Sequence, residues 1–322
     1  MGQDAASKRL KNQMLDAATA SLAERTSGDR FSGHESFPCR YGWLPKFYDL
    51  MVRRPEVVRV DEQVMVALGI GRNMVKSVRF WMQAFGLMVD HPRTDPAATP
   101  FANWLLDQKN GADPYLEDVG SLWLLHWRLA AKADLAAWHV AFFQLPEKEV
   151  LKRYLLQRLE RHAVSLDKKL SATTVRQHLD IFLSTYAASP NAERSSVEER
   201  LGSPLQELGL ARIVPAGEKE ELIEFSRGPW KHLSLETFIR VMLDYWELAA
   251  PSDKTISLRS LQTGFGSPGL TLRLDERALM QLIAEACEVR PDLFHLSDSA
   301  ELQAITLLTA DVRKAKSEVG YV

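Results

Sequence analysis

Hydrophobic and polar positions alternate with helical periodicity most clearly between Arg72 and Phe85. At about 100° per residue, one narrow stripe of this segment is polar and largely cationic, and it consists of Arg72, Lys76, Arg79 and Gln83. The opposite face is apolar and consists of Met74, Val78, Trp81, Met82 and Phe85. The pattern predicts a helix that packs one face on the core and presents a cationic face to solvent or to a ligand.

The segments around this helix indicate a DNA-binding fold. A shorter amphipathic segment, Asp61–Ala67, precedes it, and the turn Leu68-Gly69-Ile70-Gly71 joins the two. This order is typical of a helix-turn-helix, whose second helix enters a DNA groove. Beyond it, Gly86–Val89 and Phe101–Leu106 are predicted as the two strands of a wing, on either side of a proline-containing loop. Residues 30–110 are therefore predicted to form a winged helix-turn-helix.

Charge supports this interpretation, although a helix with one basic and one apolar face is usually just a solvated surface helix. Residues 30–93 contain 10 Lys and Arg against 6 Asp and Glu, whereas the whole chain has a net charge of −2. Positive charge is thus concentrated around the predicted recognition helix. We expect DNA contacts from the following residues: Arg40, Arg72, Asn73, Lys76 and Arg79.

The rest of the chain completes a mainly α fold with small β wings. Residues 1–29 are predicted as an N-terminal extension, 111–190 as a helical domain, and 191–322 as a C-terminal α+β, winged-helix-like region. The polar run Ser189–Ser196 is the clearest linker by composition. Residues Glu147–Ala188 before it are helical in pattern throughout, with Thr173–Tyr186 as a second amphipathic segment. A helix is predicted from Ser234 to Leu248. Further strands are predicted at Ala211–Val214, Glu221–Phe225, Leu293–Leu296 and Ala304–Leu308.

A turn-rich segment with an unusual density of polar and aromatic side chains, FSGHESFPCRYGW, begins at Phe31. A functional interpretation makes His34, Glu35, Arg40 and Tyr41 a site that meets phosphate or a partner, with His34 and Glu35 as catalytic residues. The alternative is structural, because Ser32 and Glu35 have the spacing of a capping box and the aromatic side chains suit the core. Adjacent side chains diverge, which favours the structural alternative.

Three acidic residues, Asp113, Glu117 and Asp118, precede a strongly apolar helical segment. Paired carboxylates can hold a divalent cation for phosphodiester hydrolysis, so this trio is a candidate Mg²⁺ or Mn²⁺ site. Glu117 and Asp118 are then candidate catalytic residues. The alternative is that the acids stabilise a helix N-terminus, which Asp113 before Pro114 would begin. No other residue of the sequence identifies itself as a nucleophile or a base.

Composition and short motifs narrow the class of protein to which the sequence belongs. The sequence has 322 residues, of which 46% are hydrophobic and 25% charged, as in ordinary globular proteins of roughly two or three domains. Neither an apolar run of ~18 residues nor the apolar core of a signal peptide is found, so a cytoplasmic protein is expected. Cys39 and Cys287 lack the spacing of a zinc or redox motif. The segment GFGSPG lacks the Lys-Ser/Thr of a phosphate-binding loop, and no known nuclease motif occurs.

Several motifs together resemble a bacterial domain-of-unknown-function family. They are FSGHESFP with the following RYGW, LGIGRNMV at 68–75, DPYLED at 113–118 and LWLLHW at 122–127. Members of that family are encoded beside PAPS-reductase-like ATP pyrophosphatases in phage-defence islands, and the resemblance extends from residue 30 to about 310. The family is similar in kind to the DNA-nicking component of single-strand DNA phosphorothioation systems.

Two function classes follow from the residues and the resemblance together. In the first, the protein is a DNA-binding component of a bacterial DNA phosphorothioation or related antiphage system, and it nicks one strand through carboxylates or His34. In the second, it is a non-catalytic winged-helix regulator or an assembly adaptor for partner defence proteins. The implied partners are DNA and proteins of the same locus, including the PAPS-reductase-like enzyme and an ATPase, and no membrane.

Overall fold

Helices make up most of the fold, and small antiparallel sheets lie between them. The structure is a computed structural model that describes residues 25–90, 95–188, 202–217, 220–298 and 303–322. The expected fold class, mainly α with small β elements, is confirmed. The predicted linker Ser189–Ser196 and most of the predicted N-terminal extension lie outside the described residues.

The first helices are α1 (Trp43–Arg53), α2 (Pro55–Val58), α3 (Asp61–Leu68) and α4 (Arg72–Ala84). The two helices predicted around the glycine turn are confirmed to within one residue at each end. Gly69 closes α3 with a φ of 67°, a left-handed conformation that glycine adopts without steric cost. The chain then re-enters a helix after Gly71, so only a short turn separates α3 from α4.

A two-stranded antiparallel sheet follows α4, but its second strand lies earlier than predicted. Strand β1 (Met88–Val89) pairs with β2 (Ala97–Ala98). The predicted strand Phe101–Leu106 is wrong, because these residues belong to helix α5 (Pro100–Leu106). The Thr99 hydroxyl accepts the Ala102 backbone N–H at 3.1 Å, and Pro100 fills the first helical position, where its missing N–H costs nothing.

The central helices are α6 (Val119–Lys132), α7 (Ala136–Phe143), α8 (Lys152–Ser165) and α9 (Ala172–Tyr186). Helix α6 begins after Asp118, whose carboxylate accepts the Gly120 N–H at 2.8 Å, so the helix start predicted at Asp113 is wrong. The helical pattern predicted from residue 147 begins too early, whereas the second helical segment predicted at Thr173–Tyr186 is confirmed as α9 to within one residue. Strand β3 (Glu149–Leu151) precedes α8, and a break separates α8 from α9.

The C-terminal region contains most of the predicted strands. After a 3₁₀ helix (Pro204–Leu208), β4 (Ala211–Pro215) pairs with β5 (Glu221–Phe225), and β5 also pairs with β3. Helix α10 (Leu235–Ala249) is capped by Ser234, as predicted. The later elements are β6 (Thr255–Ser257), α11 (Leu258–Thr263), α12 (Pro268–Thr271), α13 (Glu276–Val289), β7 (Phe294–Asp298), β8 (Gln303–Leu307) and α14 (Val312–Glu318). Strand β8 lies between β6 and β7.

A continuous apolar core connects these elements. Its largest fully buried side chains include Trp81 of α4, Trp123 and Trp127 of α6, Trp138 of α7 and Trp246 of α10. Because fully burying one large apolar side chain contributes about 1.5–3 kcal/mol, these residues fix the helices that carry the surface described below. None of the helices in the described part of the chain is both long and apolar enough to cross a membrane.

Candidate nucleic-acid interface

Helix α4 turns its polar residues to solvent at its N-terminal half. Arg72, Asn73 and Lys76 are exposed, and these three residues are called the α4 face below. The intervening Val75 and the following Val78 are fully buried. The helical period therefore separates a cationic surface from a core-facing surface within a single helix.

The turn-rich segment that begins at Phe31 supports α4 from behind. The Trp81 indole N–H donates to the Phe37 carbonyl at 3.0 Å, and the Ser77 hydroxyl donates to the same oxygen at 3.2 Å. The Phe80 ring meets the His34 ring edge-on, with centroids 5.7 Å apart. Buried donors need acceptors, so these bonds fix the rotation of α4 and hence the direction of its exposed face.

The cationic residues of α4 differ in how firmly they are held. Arg72 pairs with Glu62 at 2.8 Å, but both side chains are more than 60% exposed, at 62% and 65%. Such an exposed pair contributes little and can be exchanged for a phosphate contact. Lys76 forms no ion pair with any residue that the structure describes. The α4 face is thus available to an anionic ligand.

Arg79 lies on the same stripe in sequence but not in the same environment. Its side chain is 16% exposed, pairs with Asp61 at 3.2 Å, donates to the Val58 carbonyl, and places its guanidinium 5.7 Å from the Phe47 ring centroid. Arg79 therefore ties α4 to the start of α3. A contact between Arg79 and DNA stays a prediction, and it would require the guanidinium to leave these partners.

Arg40 and Tyr41 lie on the supporting segment, just before α1. The Arg40 guanidinium is 5.6 Å from the Phe37 ring centroid and 5.7 Å from that of Trp43, within the range of cation–π attraction. Tyr41 is 37% exposed. The aromatic rings thus orient Arg40 without burying it completely.

His34 is buried, and both of its ring nitrogens are hydrogen-bonded. Nε2 is 2.9 Å from Nδ1 of His178, and Nδ1 is 2.8 Å from the Glu35 carbonyl. The Ala137 backbone N–H donates to His178 Nε2 at 3.1 Å, so His178 carries its proton on Nδ1 and donates it to His34. Burial lowers the pKa of both imidazoles, which are therefore neutral at pH 7. Neither ring nitrogen of His34 is free in this arrangement, so proton transfer by His34 would require one of these hydrogen bonds to break. A catalytic role for His34 stays a prediction.

Glu35 does not cap a helix, so the predicted capping box with Ser32 is wrong. Residues 31–42 contain no helix, and Glu35 has a φ of 53°, in the left-handed region. Its carbonyl accepts from His34 and, at 3.1 Å, from the Gln177 side-chain amide. The backbone of Glu35 therefore joins the supporting segment to α9, while the carboxylate is partly exposed.

The acidic trio is organised around the backbone. Asp113 is buried, and its two carboxylate oxygens accept the N–H groups of Glu117 and Asp118, each at 3.0 Å. Asp118 caps α6, and the Glu117 side chain is exposed. Among the described residues there is no group of three His, Cys, Asp or Glu side chains that could hold a metal ion. The arrangement does not fit a three-carboxylate Mg²⁺ or Mn²⁺ site, and the metal site stays a prediction.

A buried polar cluster that the sequence did not reveal lies beneath α8. The fully buried Asp29 carboxylate is 2.5 Å from His139 Nδ1 and 2.7 Å from His162 Nε2. Burial opposes ionisation of Asp29, but the hydrogen bonds from both histidines outweigh it and hold its pKa below the ordinary value. Asp29 lies 110 and 133 positions before the two histidines, so no local motif could identify the cluster.

The chain shares its fold with solved proteins and its sequence pattern with a known family. Two crystal structures of SspB, one of them magnesium ion-bound, superpose on the chain with TM-scores of 0.79 and 0.78. Each is 29% identical in sequence, and the match covers 92% of this chain and 88% of the SspB chain. The comparison with curated proteins gives no match. The sequence profile of a protein family of unknown function, DUF4007, matches residues 31–319, and the chain therefore belongs to the DUF4007 family.

Proposed function

We propose that this protein is a DNA-binding component of a bacterial DNA phosphorothioation or related antiphage system, acting in the cytoplasm. The observation that carries the proposal is the exposed α4 face, which follows α3 after a short turn. The likeness to SspB over nearly the whole chain supports the biological setting. Arg72 and Lys76 supply positive charge for phosphates, and Asn73 supplies an amide that can pair with a base edge.

The proposed DNA-binding unit is a winged helix-turn-helix. Helix α4 enters the major groove with its N-terminal half, α3 crosses the backbone, and the β1–β2 hairpin is the wing. Arg79 positions α4 through Asp61, and Arg40 lies on the segment behind it. Phosphate contacts made this way are released by salt, which gives the proposal a quantitative test.

We further propose that the bound DNA is nicked on one strand. The support is the likeness to SspB together with the exposed Glu117 and Asp118 beside the start of α6.

A second function, that of a non-catalytic adaptor for partner proteins such as the PAPS-reductase-like enzyme or an ATPase, is favoured by one observation. The Asp113 carboxylate and that of Asp118 accept backbone N–H groups, as structural caps do.

Conversion of supercoiled plasmid to open circles tests nicking directly. We expect the wild type to produce open circles, and parallel reactions in Mg²⁺, Mn²⁺ and EDTA determine whether nicking requires a metal ion. Glu117 is exposed, so Glu117→Ala should fold normally, and it should reduce nicking about a hundredfold if its carboxylate takes part in proton transfer. Glu276→Ala, an exposed acid at the start of another helix, is the matched control.

Two results would go against this proposal. Plasmid that stays supercoiled with every metal, yet shifts on a gel, would support the adaptor function instead. Nicking that survives Glu117→Ala unchanged would remove this residue from the site while leaving nicking in place.

A further inference from the structure

A second cationic surface lies on α8, away from the α4 face in sequence. A cleft of about 390 Å³ is lined by Gln144, Arg158, Arg161, His162 and Ser165. Arg161, His162 and Ser165 follow Arg158 by three, four and seven positions. These four residues therefore lie on one side of α8. This cleft is called the α8 cleft below.

The geometry of His162 is that of a histidine oriented for proton transfer. An ionised carboxylate can only accept, so Asp29 receives the Nε2–H of His162 at 2.7 Å and leaves the lone pair on Nδ1. The one side-chain hydrogen bond that His162 forms among the described residues is through Nε2, so its Nδ1 is unpaired there, and His162 lines the cleft. The second Asp29 oxygen is held by His139 at 2.5 Å, which fixes the carboxylate.

The arginines give the cleft the charge that a phosphodiester requires. Arg161 is exposed and contacts only the Gln157 carbonyl, at 3.4 Å, so its guanidinium lacks an acidic partner within the described chain. Arg158 is half-buried, pairs with Glu147 at 2.6 Å and donates to the Gln144 carbonyl at 3.2 Å. A planar guanidinium at the mouth of a cleft matches the oxygens of a phosphate.

The cleft is also packed against the segment that supports α4. The Phe31 ring lies 6.3 Å from the His162 ring centroid and 5.5 Å from that of His178. His178 in turn stacks on His34, which meets Phe80 of α4. One continuous line of packed rings therefore joins the α8 cleft to the helix proposed to bind DNA.

We propose that the α8 cleft binds a backbone phosphodiester of DNA and that His162 is the general base of strand nicking, oriented by Asp29. This inference rests on the proposed nicking function but places the site of nicking in the α8 cleft and not at Glu117 and Asp118, so Glu117→Ala is then expected to nick like the wild type. His162 Nδ1 removes a proton from a water molecule, whose oxygen forms a bond to phosphorus while one bond between phosphorus and a deoxyribose oxygen breaks. The leaving oxygen takes a proton from solvent, so one phosphodiester and one water yield a phosphomonoester and a hydroxyl.

The test is single-turnover nicking of a labelled duplex in Mg²⁺ buffer, with DNA affinity measured on the same preparations. His162→Gln keeps an amide N–H where Nε2 binds Asp29 but has no base at Nδ1. The nicking rate of His162→Gln should be at least about a hundredfold lower than that of the wild type, with DNA affinity unchanged. Added imidazole should restore part of the activity of His162→Ala, which a purely structural histidine would not allow. Asp29→Asn, which changes the tautomer of His162, should also slow nicking.

Arg161→Ala provides a second variant, because this exposed side chain can be removed without disturbing the core. It should slow nicking, whereas Arg153→Ala, on the same helix but outside the cleft, should nick like the wild type. If the wild type nicks while folded His162→Gln and Arg161→Ala nick at the same rate, the α8 cleft is not the site and the proposed function stands. If the wild type does not nick at all, the proposed nicking fails, and this inference fails with it.

Discussion

Acidification from pH 7 to pH 4 is expected to lower the free energy of unfolding by about 3 kcal/mol through His126 alone. His126 is fully buried in α6, with Nδ1 2.8 Å from the Tyr186 hydroxyl and Nε2 2.8 Å from the Thr271 carbonyl. Burial, assisted by the positive charge of Arg273, lowers its pKa to about 4. The imidazole is therefore neutral in the folded protein over a range in which it is protonated in the unfolded chain.

The direction of this effect follows from proton binding. Between the unfolded pKa of roughly 6.5 and the folded pKa of about 4, the unfolded state binds the extra proton. The free energy of unfolding therefore decreases as the pH is lowered through this range. His34 and His178, whose pKa values are also lowered, act in the same direction. The carboxylates of Asp29 and Asp244 have pKa values held below 3.8, so they add acid destabilisation only below that pH.

Urea unfolding at intervals between pH 7 and pH 4 measures this effect. The His126→Gln variant should be less stable than the wild type at pH 7 but should lose less stability on acidification. His295→Gln is the matched control, because His295 is exposed. A wild-type stability that stays constant from pH 7 to pH 4.5 would contradict the prediction.

Replacing Asp244 by Ala is expected to destabilise the fold by about 3–5 kcal/mol, because the buried Arg128 then has no paired carboxylate and Lys316 keeps only the more exposed Glu247, at 2.7 Å. Asp244 is 1% exposed in α10, and its carboxylate accepts the Tyr321 hydroxyl at 2.6 Å. It also pairs with Lys316 at 2.7 Å and with Arg128 at 3.5 Å. The side chains of Lys316 and Arg128 are only 6% and 11% exposed, so neither can recover its hydration when the carboxylate is removed.

The control for this variant lies on the same helix. Glu236 pairs with Arg240 at 2.5 Å, but its side chain is 67% exposed, so Glu236→Ala should change stability by less than about 1 kcal/mol. Chemical denaturation of both variants at pH 7 gives the comparison. Equal small effects would show that the Asp244 cluster does not tie α6, α10 and α14 together.

Local signals predicted the helices that carry the proposed interface. The period of α4 and the glycine turn before it are contained within about twenty residues, so α3 and α4 could be located closely. The strand predicted at Phe101–Leu106 failed for a local reason as well. The Thr99-Pro100 pair is a helix-start signal, and it outweighed the apolar pattern that suggested a strand.

Tertiary partners decided what the sequence could not. Arg79 has the spacing of a surface residue, but Asp61 and the Val58 carbonyl draw it inward. Strand β3 has only three residues, too few to show the alternation of a strand before α8. Its partner β5 lies about seventy positions later, so no local signal indicates the pairing. The Asp29 cluster likewise joins residues from the start of the described chain, α7 and α8.

The most direct test of the central claim, that the α4 face binds DNA, is the salt dependence of duplex affinity for Arg72→Ala/Lys76→Ala against the wild type. We expect weaker binding to every sequence and a slope of log affinity against log salt that is shallower by about 2, since roughly one counterion is released for each phosphate contact. Arg259→Ala/Arg277→Ala, which removes two exposed arginines from the C-terminal region, should leave both quantities unchanged. If affinity and slope are the same in Arg72→Ala/Lys76→Ala as in the wild type, helix α4 is not the DNA-binding element.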